Sequence, residues 1–389
     1  MKIKRILLVV CFCLCALLAL YGFNRMQENR YIRWVFTTGN ALTEAPVLCN
    51  DGILVLGMQR SLVAIDGVTG RSIWAFPFPD PQEYQVSRPI VGTDSTVYLT
   101  SLVEGQPYKI YAVDGKTGKE RWSSKEKATI IVLGDKDLIF AGHTHMLALD
   151  EKTRRSKWTF TAPVSKDAPD PNINSYDGHI EQAAYTRNTL LVVFACPYKH
   201  LFALNALTGE QKWDVPLEPG EQFACSISTT LSIHNNLVTV GEAGGQVRAF
   251  DSETGHVLWH FQVESGPISP CICIGEDMVY VTTYYGHLYG LSKATGVIKW
   301  MHSFGEKLST QPVLDKQGTL YVGTNHNTIY ALDGITGKSQ WHYFFGSAMS
   351  SIPDGDYVSV AVGMDGMVYA ASTDHHLYAL KAQSTTVKK

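Results

Sequence analysis

Short runs of alternating side chains recur along the chain, and most end on an acidic residue followed by a Thr-Gly pair. In the run Ile329–Leu332, Ile329 and Ala331 share one face while Tyr330 and Leu332 share the other. A period of two predicts a strand. The run meets Asp333, whose carboxylate can accept from backbone N–H groups ahead of it and start a turn. Thr336 supports that turn through its hydroxyl, and Gly337 supplies the positive φ that other residues avoid. The chain then reverses into a second strand, where Trp341 offers a large apolar plate to the next repeat.

All eight tryptophans occupy this one place in a recurring phrase, apolar-x-Ala-apolar-Asp-x-x-Thr-Gly-x-x-x-Trp. Its clearest copies end at Trp74, Trp122 and Trp341, and weaker ones at Trp158, Trp213, Trp259 and Trp300. Trp34 carries only the tail of the phrase, and residues 377–383 carry only its head. Successive spacings of 40, 48, 36, 55, 46, 41 and 41 residues predict a β-propeller, one four-stranded blade per repeat. Asn205 and Ser292 replace the Asp in two copies, and Arg154 replaces the Gly in the third, which should be the most strained turn.

The other strands of a repeat are legible after Trp300: Leu308–Leu314, a turn at 315–318, residues 320–324, and then the strand carrying Ala331. Counting outer strands by their tryptophans predicts an all-β, eight-bladed propeller of antiparallel blades. Trp34 precedes any complete repeat, and the final repeat lacks its Trp strand. Residues 31–37 should therefore supply the fourth strand of the last blade, which closes the ring and leaves no open edge there.

The phrase closely resembles the repeat of the quinoprotein-type (PQQ-like) propellers, over essentially everything after the N-terminal segment. That family includes PQQ-dependent dehydrogenases and the outer-membrane assembly factor BamB, and the chain is nearest in character to the latter. The resemblance implies the fold. The phrase is scaffold, however, and propellers host many functions. The dehydrogenases of this family use a disulfide between adjacent cysteines beside the quinone, and a metal-binding carboxylate set. No two cysteines are adjacent here. Nothing carries over residue by residue, so the expectation is no PQQ, no catalytic residue and no enzyme.

Composition fits a large β-protein in one domain spanning residues 31–382, with residues 383–389 as a tail. Lys2, Lys4 and Arg5 precede an uncharged apolar run from Ile6 to Phe23. Residues 1–24 therefore read as a signal anchor or signal peptide, just long enough to span a bilayer, with the basic end cytoplasmic and the rest exported. Neither Leu20-Tyr21-Gly22 nor Leu17-Leu18-Ala19 is a good cleavage site. The residues before Cys11, Cys13 and Cys15 do not suit lipid attachment, a departure from typical BamB. The expected location is membrane-anchored, with the bulk of the chain in the periplasm or another extracytoplasmic space. The formal net charge of −3 becomes −6 without the three basic N-terminal residues, which disfavours a nucleic-acid partner.

Beyond this segment, Cys49, Cys196, Cys225, Cys271 and Cys273 give an odd count and no disulfide framework. Asp170, Asn172, Asn174 and Glu181 fall at positions 1, 3, 5 and 12 of a calcium-type loop. Ser175 stands where that loop wants Gly, and the stretch reads as a polar insertion between blades. His145, His200, His287 and His376 each precede the third strand of a blade. Neighbouring blades lie roughly 10 Å apart at mid-radius, given ~4.8 Å strand spacing, so these are hairpin residues rather than a ring of metal ligands.

The functional clue is where the chain varies. In a four-stranded meander the Asp-x-x-Thr-Gly turns share one face. The connections from strand two to three, and from blade to blade, share the other. That second face takes the irregular segments 78–84, 103–108, 163–179, 197–199, 216–221 and 284–285. Irregular loops on a rigid scaffold carry function, and tyrosine is a favoured interface residue. Tyr84, Tyr108, Tyr176, Tyr198, Tyr284 and Tyr285 are the candidate partner-binding residues. Glu44, Arg88, Glu181 and Gln311 should line a central funnel able to hold a polar ligand or carbohydrate. The leading expectation is a tethered, non-catalytic scaffold that binds protein, in the manner of an accessory factor of an outer-membrane assembly complex. A quinone-dependent dehydrogenase and a ligand-binding ectodomain are the rivals.

Overall fold

A computed structural model describes residues 31–39, 42, 44–85, 87–104, 108–124, 128–135, 138–163, 179–195, 199–217, 230–242, 244–264, 268–308, 310–346, 358–363 and 365–381. Their strands form eight antiparallel sheets, each a meander of sequence neighbours except the last. Blade 7 shows the pattern: Val313–Leu314, Thr319–Gly323, Thr328–Asp333 and Ser339–Phe344, paired in that order. The first strands of neighbouring blades 3 to 6 adjoin one another and mark the inner wall of the ring.

The apolar core lies between blades rather than inside any one of them. Among the described residues it divides into eight clusters, each shared by two successive blades, and the eighth joins blade 8 to blade 1. The alternation in Thr328–Asp333 explains why. Ile329 and Ala331 pack toward blade 8, and Leu332 packs toward blade 6. A middle strand is therefore buried on both faces, and no blade can bury its core alone.

The last blade is closed as the tryptophan count predicts. Ile32–Thr37 pairs with His376–Lys381, setting Trp34 opposite Ala379 and Phe36 opposite Leu377. The Lys381 amide donates to the Tyr31 carbonyl at 2.8 Å.

The phrase does more than make a turn. The amide and hydroxyl of Thr336 donate to one Asp333 carboxylate oxygen at 2.7 and 2.8 Å, and Gly337 has φ 69°. A Cβ on Gly337 would meet the Trp300 ring of the preceding blade at 2.5 Å. The indole N–H of Trp300 donates to the Gly334 carbonyl in the same turn at 3.1 Å. The glycine is needed for its backbone angle and because an indole lies flat against it. The same indole bond runs from Trp34 to Gly67, Trp74 to Gly115, Trp158 to Ala206, Trp213 to Ser252 and Trp259 to Lys293.

Two junctions differ. Arg154 holds φ 58° in the third turn, as its sequence position predicts, and Trp122 makes no such indole bond among the described residues. Trp341 stacks instead on Tyr31, with centroids 5.5 Å apart, where the closing strand begins.

Two strand expectations need correction. Leu308–Leu314 is not one strand: only Val313–Leu314 pairs as a strand, with a separate bridge between Leu308 and Thr324. Pro312 has no N–H to continue the ladder. Blade 2 has an unforeseen fifth strand, Tyr84–Gln85, which pairs with Leu102 and Ser101 beside Ile90–Val91.

Candidate functional site

The face opposite the Thr-Gly turns carries the long connections, and its geometry rests on charges that the sequence pattern did not reveal. The segment joining blades 1 and 2 ends at Glu83, a carboxylate with no exposed surface. It accepts from Ser101 Oγ at 2.5 Å and Tyr111 Oη at 3.0 Å, and it pairs with Lys109 Nζ at 3.2 Å. Burial, then the Glu83 charge, pushes the Tyr111 phenol well above its ordinary pKa, so it stays a donor. Three hydrogen-bonding partners offset the cost of taking a carboxylate out of water.

The same solution recurs in blades 4 and 5. Glu181 pairs with Lys199 at 2.9 Å, and Glu242 with Arg248 at 2.6 Å, all four side chains being largely buried. Arg248 also donates to the Pro216 carbonyl at 3.1 Å, which pins the connection leaving blade 4. In each pair a cation at or near the start of the third strand reaches a carboxylate in a neighbouring connection or first strand. The only trace in the sequence is an acid and a base some distance apart, which any surface also shows.

The predicted funnel residues divide. Glu44 and Arg88, on the inner approaches to blades 1 and 2, lie close enough to interact. Burial raises the Glu44 pKa, and the Arg88 charge opposes that rise. Gln311 donates to the Ile272 carbonyl at 3.2 Å and so spans blades 7 and 6. Glu181 is committed to Lys199.

The tyrosines do not form one patch. Tyr84 and Tyr108 belong to blade 2, and Tyr108 packs on His143 with centroids 5.4 Å apart. Tyr284 and Tyr285 belong to blade 6, half-way around the ring, and are the more exposed members, at 39% and 58%. Their rings meet edge to face at 5.7 Å. Lys307 lies 4.3 Å from the Tyr284 ring centroid and donates to its hydroxyl. Beside this pair, Glu306 and His326 approach to 3.3 Å. His287 Nδ1 and Asn325 Oδ1 are buried without a hydrogen-bond partner among the described residues. Tyr176, Tyr198, Asp170, Asn172 and Asn174 lie outside the described residues, as do residues 1–24 and 383–389.

The four hairpin histidines make local contacts. His200 Nδ1 lies 3.2 Å from Asp214, His376 Nδ1 lies 2.8 Å from the Asp374 carbonyl, and His145 Nδ1 lies 3.3 Å from Thr144 Oγ1. The His287 amide donates to Thr283 Oγ1 at 3.1 Å. Among the described residues no group of His, Cys, Asp and Glu is arranged to hold a metal ion. Burial pushes the free thiols of Cys49 and Cys273 up to about 11, leaving them protonated and unreactive near neutrality.

Blades docked through indoles on Thr-Gly turns define a propeller of the quinoprotein type. The family model described as outer membrane protein assembly factor BamB matches residues 27–129, 60–241 and 243–388, and the chain belongs to that family. Relatives of more than one kind share the repeat. BamB of Shewanella oneidensis is 19% identical over 67% of this chain and 64% of its own length. Methanol dehydrogenase subunit 1 of Methylobacterium organophilum is 40% identical, over only 22% of this chain and 13% of its own length. Among solved structures, BamB from Moraxella catarrhalis superposes with a TM-score of 0.66 at 17% identity, covering 90% of this chain and 99% of that one. A europium-containing methanol dehydrogenase gives 0.65 at 14% identity, over 87% and 84%. At such identities the superpositions speak for the fold alone.

Proposed function

We propose that this protein is an exported, membrane-tethered propeller that binds protein through its loop-rich face and catalyses nothing, as an accessory factor in outer-membrane protein assembly. The observation that carries this reading is the extent of the likeness. In sequence, the BamB relatives run along 67% and 71% of the chain, whereas the methanol dehydrogenase match spans 22%. The residues present do not suit a quinone. No two cysteines are adjacent, and the carboxylates Glu83, Glu181 and Glu242 on the loop-rich face are each tied to a base. Exposed aromatic rings on a rigid scaffold suit protein contact.

The test is crosslinked capture from the native membrane by the full chain. Changing Tyr284 or Tyr285 singly to Ala should weaken capture of the partner about thirtyfold, given losses of roughly 2 kcal/mol for each aromatic anchor. Changes at Lys116 and Lys338, in turns on the opposite face, should leave capture intact. Lysine changes that abolish capture while the tyrosine changes do not would assign the work to the other face. Dye-linked alcohol oxidation on adding PQQ and Ca²⁺ would replace this reading with the dehydrogenase one.

A further inference from the structure

Each junction between blades has a slot toward its outer rim, and the repeat shows what fills it. One wall is the residue two places after the tryptophan. The other is the residue just before the alanine of the phrase, on the third strand of the next blade. Phe76 faces Tyr111, Phe160 faces Phe202 and Phe261 faces Tyr289 in this way, with ring centroids 5.7, 5.4 and 5.3 Å apart. Between blades 6 and 7 the two places hold His302 and Tyr330, and Phe304 lies 4.9 Å from the Tyr330 ring. Between blades 7 and 8 they hold Tyr343 and Tyr378, with Phe345 4.8 and 4.5 Å from them. Phe36 and Val63 pack into one cluster where the ring closes. Between blades 4 and 5 stand Val215 and Arg248, the arginine held by Glu242 and the Pro216 carbonyl.

The junction of blades 2 and 3 breaks this pattern. Its two places hold Ser124 and Leu147, neither a ring nor a charge. Leu147 and Trp122 belong to the aliphatic cluster beneath, and Ser124 is half-buried above it. Leu147 pairs across its own sheet with Thr159, which is exposed. At the loop-rich end the half-buried Tyr108 ring packs on His143. The slot is thus floored by Leu147, flanked by two small hydroxyl residues, and continuous with a tyrosine of the loop-rich face. The adjoining stretches of sequence bring no ring to it, since 105–107 are Gly-Gln-Pro and 125–127 are Lys-Glu-Lys.

We propose that this slot receives an aromatic side chain of the protein partner, a phenylalanine or tyrosine, where the other junctions use their own. The proposal rests on the partner-binding reading above, and deepens it by naming the partner's chemistry. An aromatic ring is the occupant because six of the seven other junctions put at least one there, on the same backbone. Aromatic anchors of a partner fill pockets of this kind, and a ring seated here would extend the Tyr108–His143 contact.

The test fills the slot from within. Ser124→Phe in the full chain should raise the melting temperature by about a degree or two, as filling a gap does. The same change should lower crosslinked capture by at least about tenfold, read on the species whose capture the Tyr284 and Tyr285 substitutions weaken. Ser124→Ala should alter neither. A second readout needs no partner: the indole N–H resonances of the isotopically labelled full chain are followed during titration with p-cresol, the tyrosine side chain. The Trp122 resonance, assigned by Trp122→Phe, should shift saturably, and Ser124→Phe should abolish the shift. A lowered melting temperature in Ser124→Phe would mean that the junction is already full, and would overturn the proposal. Undiminished capture at a raised melting temperature would overturn the partner's ring while leaving binding through Tyr284 and Tyr285 in place. A Trp122 shift that appears with p-cresol only after Tyr176→Ala would give the slot to the chain's own loop, and no shift in either chain would remove the slot.

Discussion

The junction between blades 6 and 7 and the junction between blades 2 and 3 are written in the same phrase and finish differently. In the first, Trp300 lies flat on Gly337 and donates to the Gly334 carbonyl at 3.1 Å. In the second, Arg154 stands at the glycine position with φ 58°, and among the described residues Trp122 makes no indole bond of this kind. The apolar cluster that Trp122 joins between blades 2 and 3 is nevertheless intact. The comparison shows that glycine and tryptophan act as a pair across a blade boundary. The indole bond refines a junction that shared apolar burial already holds. The junction between blades 7 and 8 supports this, since Trp341 finds Tyr31 in place of any turn and the ring still closes.

The largest effect should come from removing the closing strand. A chain starting at residue 40 loses Tyr31, Trp34 and Phe36, and with them parts of two inter-blade clusters. It also leaves His376–Lys381 as an open edge. A melting loss of several degrees or more is expected, because about 1 kcal/mol already moves a large domain by a few degrees. An unchanged melting temperature with monodisperse behaviour would show that closure is ornamental.

Next is Gly337→Ala. The new Cβ would carry φ strain of about 1–3 kcal/mol, and it would overlap the Trp300 ring, with an overpacking cost of about 1–3 kcal/mol more. Pairing it with Trp300→Phe separates the two causes. The smaller ring should recover the overlap but not the φ strain, so a double mutant no more stable than Gly337→Ala would argue against the stacked contact.

How much of this was legible in the sequence follows from the range of each interaction. The Asp333–Thr336 turn, the positive φ of Gly337 and the alternation of 329–332 involve residues within five of one another, and periodicity displays them. Closure by residues 31–37 was also legible, because counting repeats exposes a missing piece. The Gly337–Trp300 contact was not, since it links different repeats and the glycine already had a local reason to be there. Glu83 was hidden for the same reason. Its partners Ser101, Lys109 and Tyr111 lie 18 to 28 residues away, in no repeating register. The tyrosine set was read from loop positions alone, and its four described members divide between blades 2 and 6.

Acid should sharpen the comparison further. A side-chain bond from Arg121, then the Thr117 turn, holds Asp114 at about 2, and the Thr153 amide and hydroxyl, then Lys157, hold Asp150 at about 2. Both lie below the ordinary value near 3.8. A carboxylate depressed in the folded state contributes stability above its unfolded pKa and loses it as pH falls through the folded one. Stability should therefore hold above about pH 4 and fall toward pH 2. Asp333→Asn should flatten part of that fall, because Thr336 lowers the Asp333 pKa through the same turn. An acid limb unchanged in that variant would remove the turn carboxylate from the account.

The smallest effect is expected where the phrase is already broken. Arg154→Gly removes a non-glycine residue from φ 58°, a conformation costing about 1–2 kcal/mol for an L side chain. The substitution also enlarges the unfolded ensemble, which returns roughly 0.5–1 kcal/mol of that gain. The backbone terms alone then predict a melting rise of a degree or two. If glycine and tryptophan act as a pair, the flattened turn should also let the Trp122 indole settle as Trp300 does on Gly337, and its N–H should become protected from hydrogen exchange. Repeating the change in a Trp122→Phe background isolates that second contribution: the rise should shrink to the backbone part, while the same rise in both backgrounds would mean that Arg154 costs the chain only its φ.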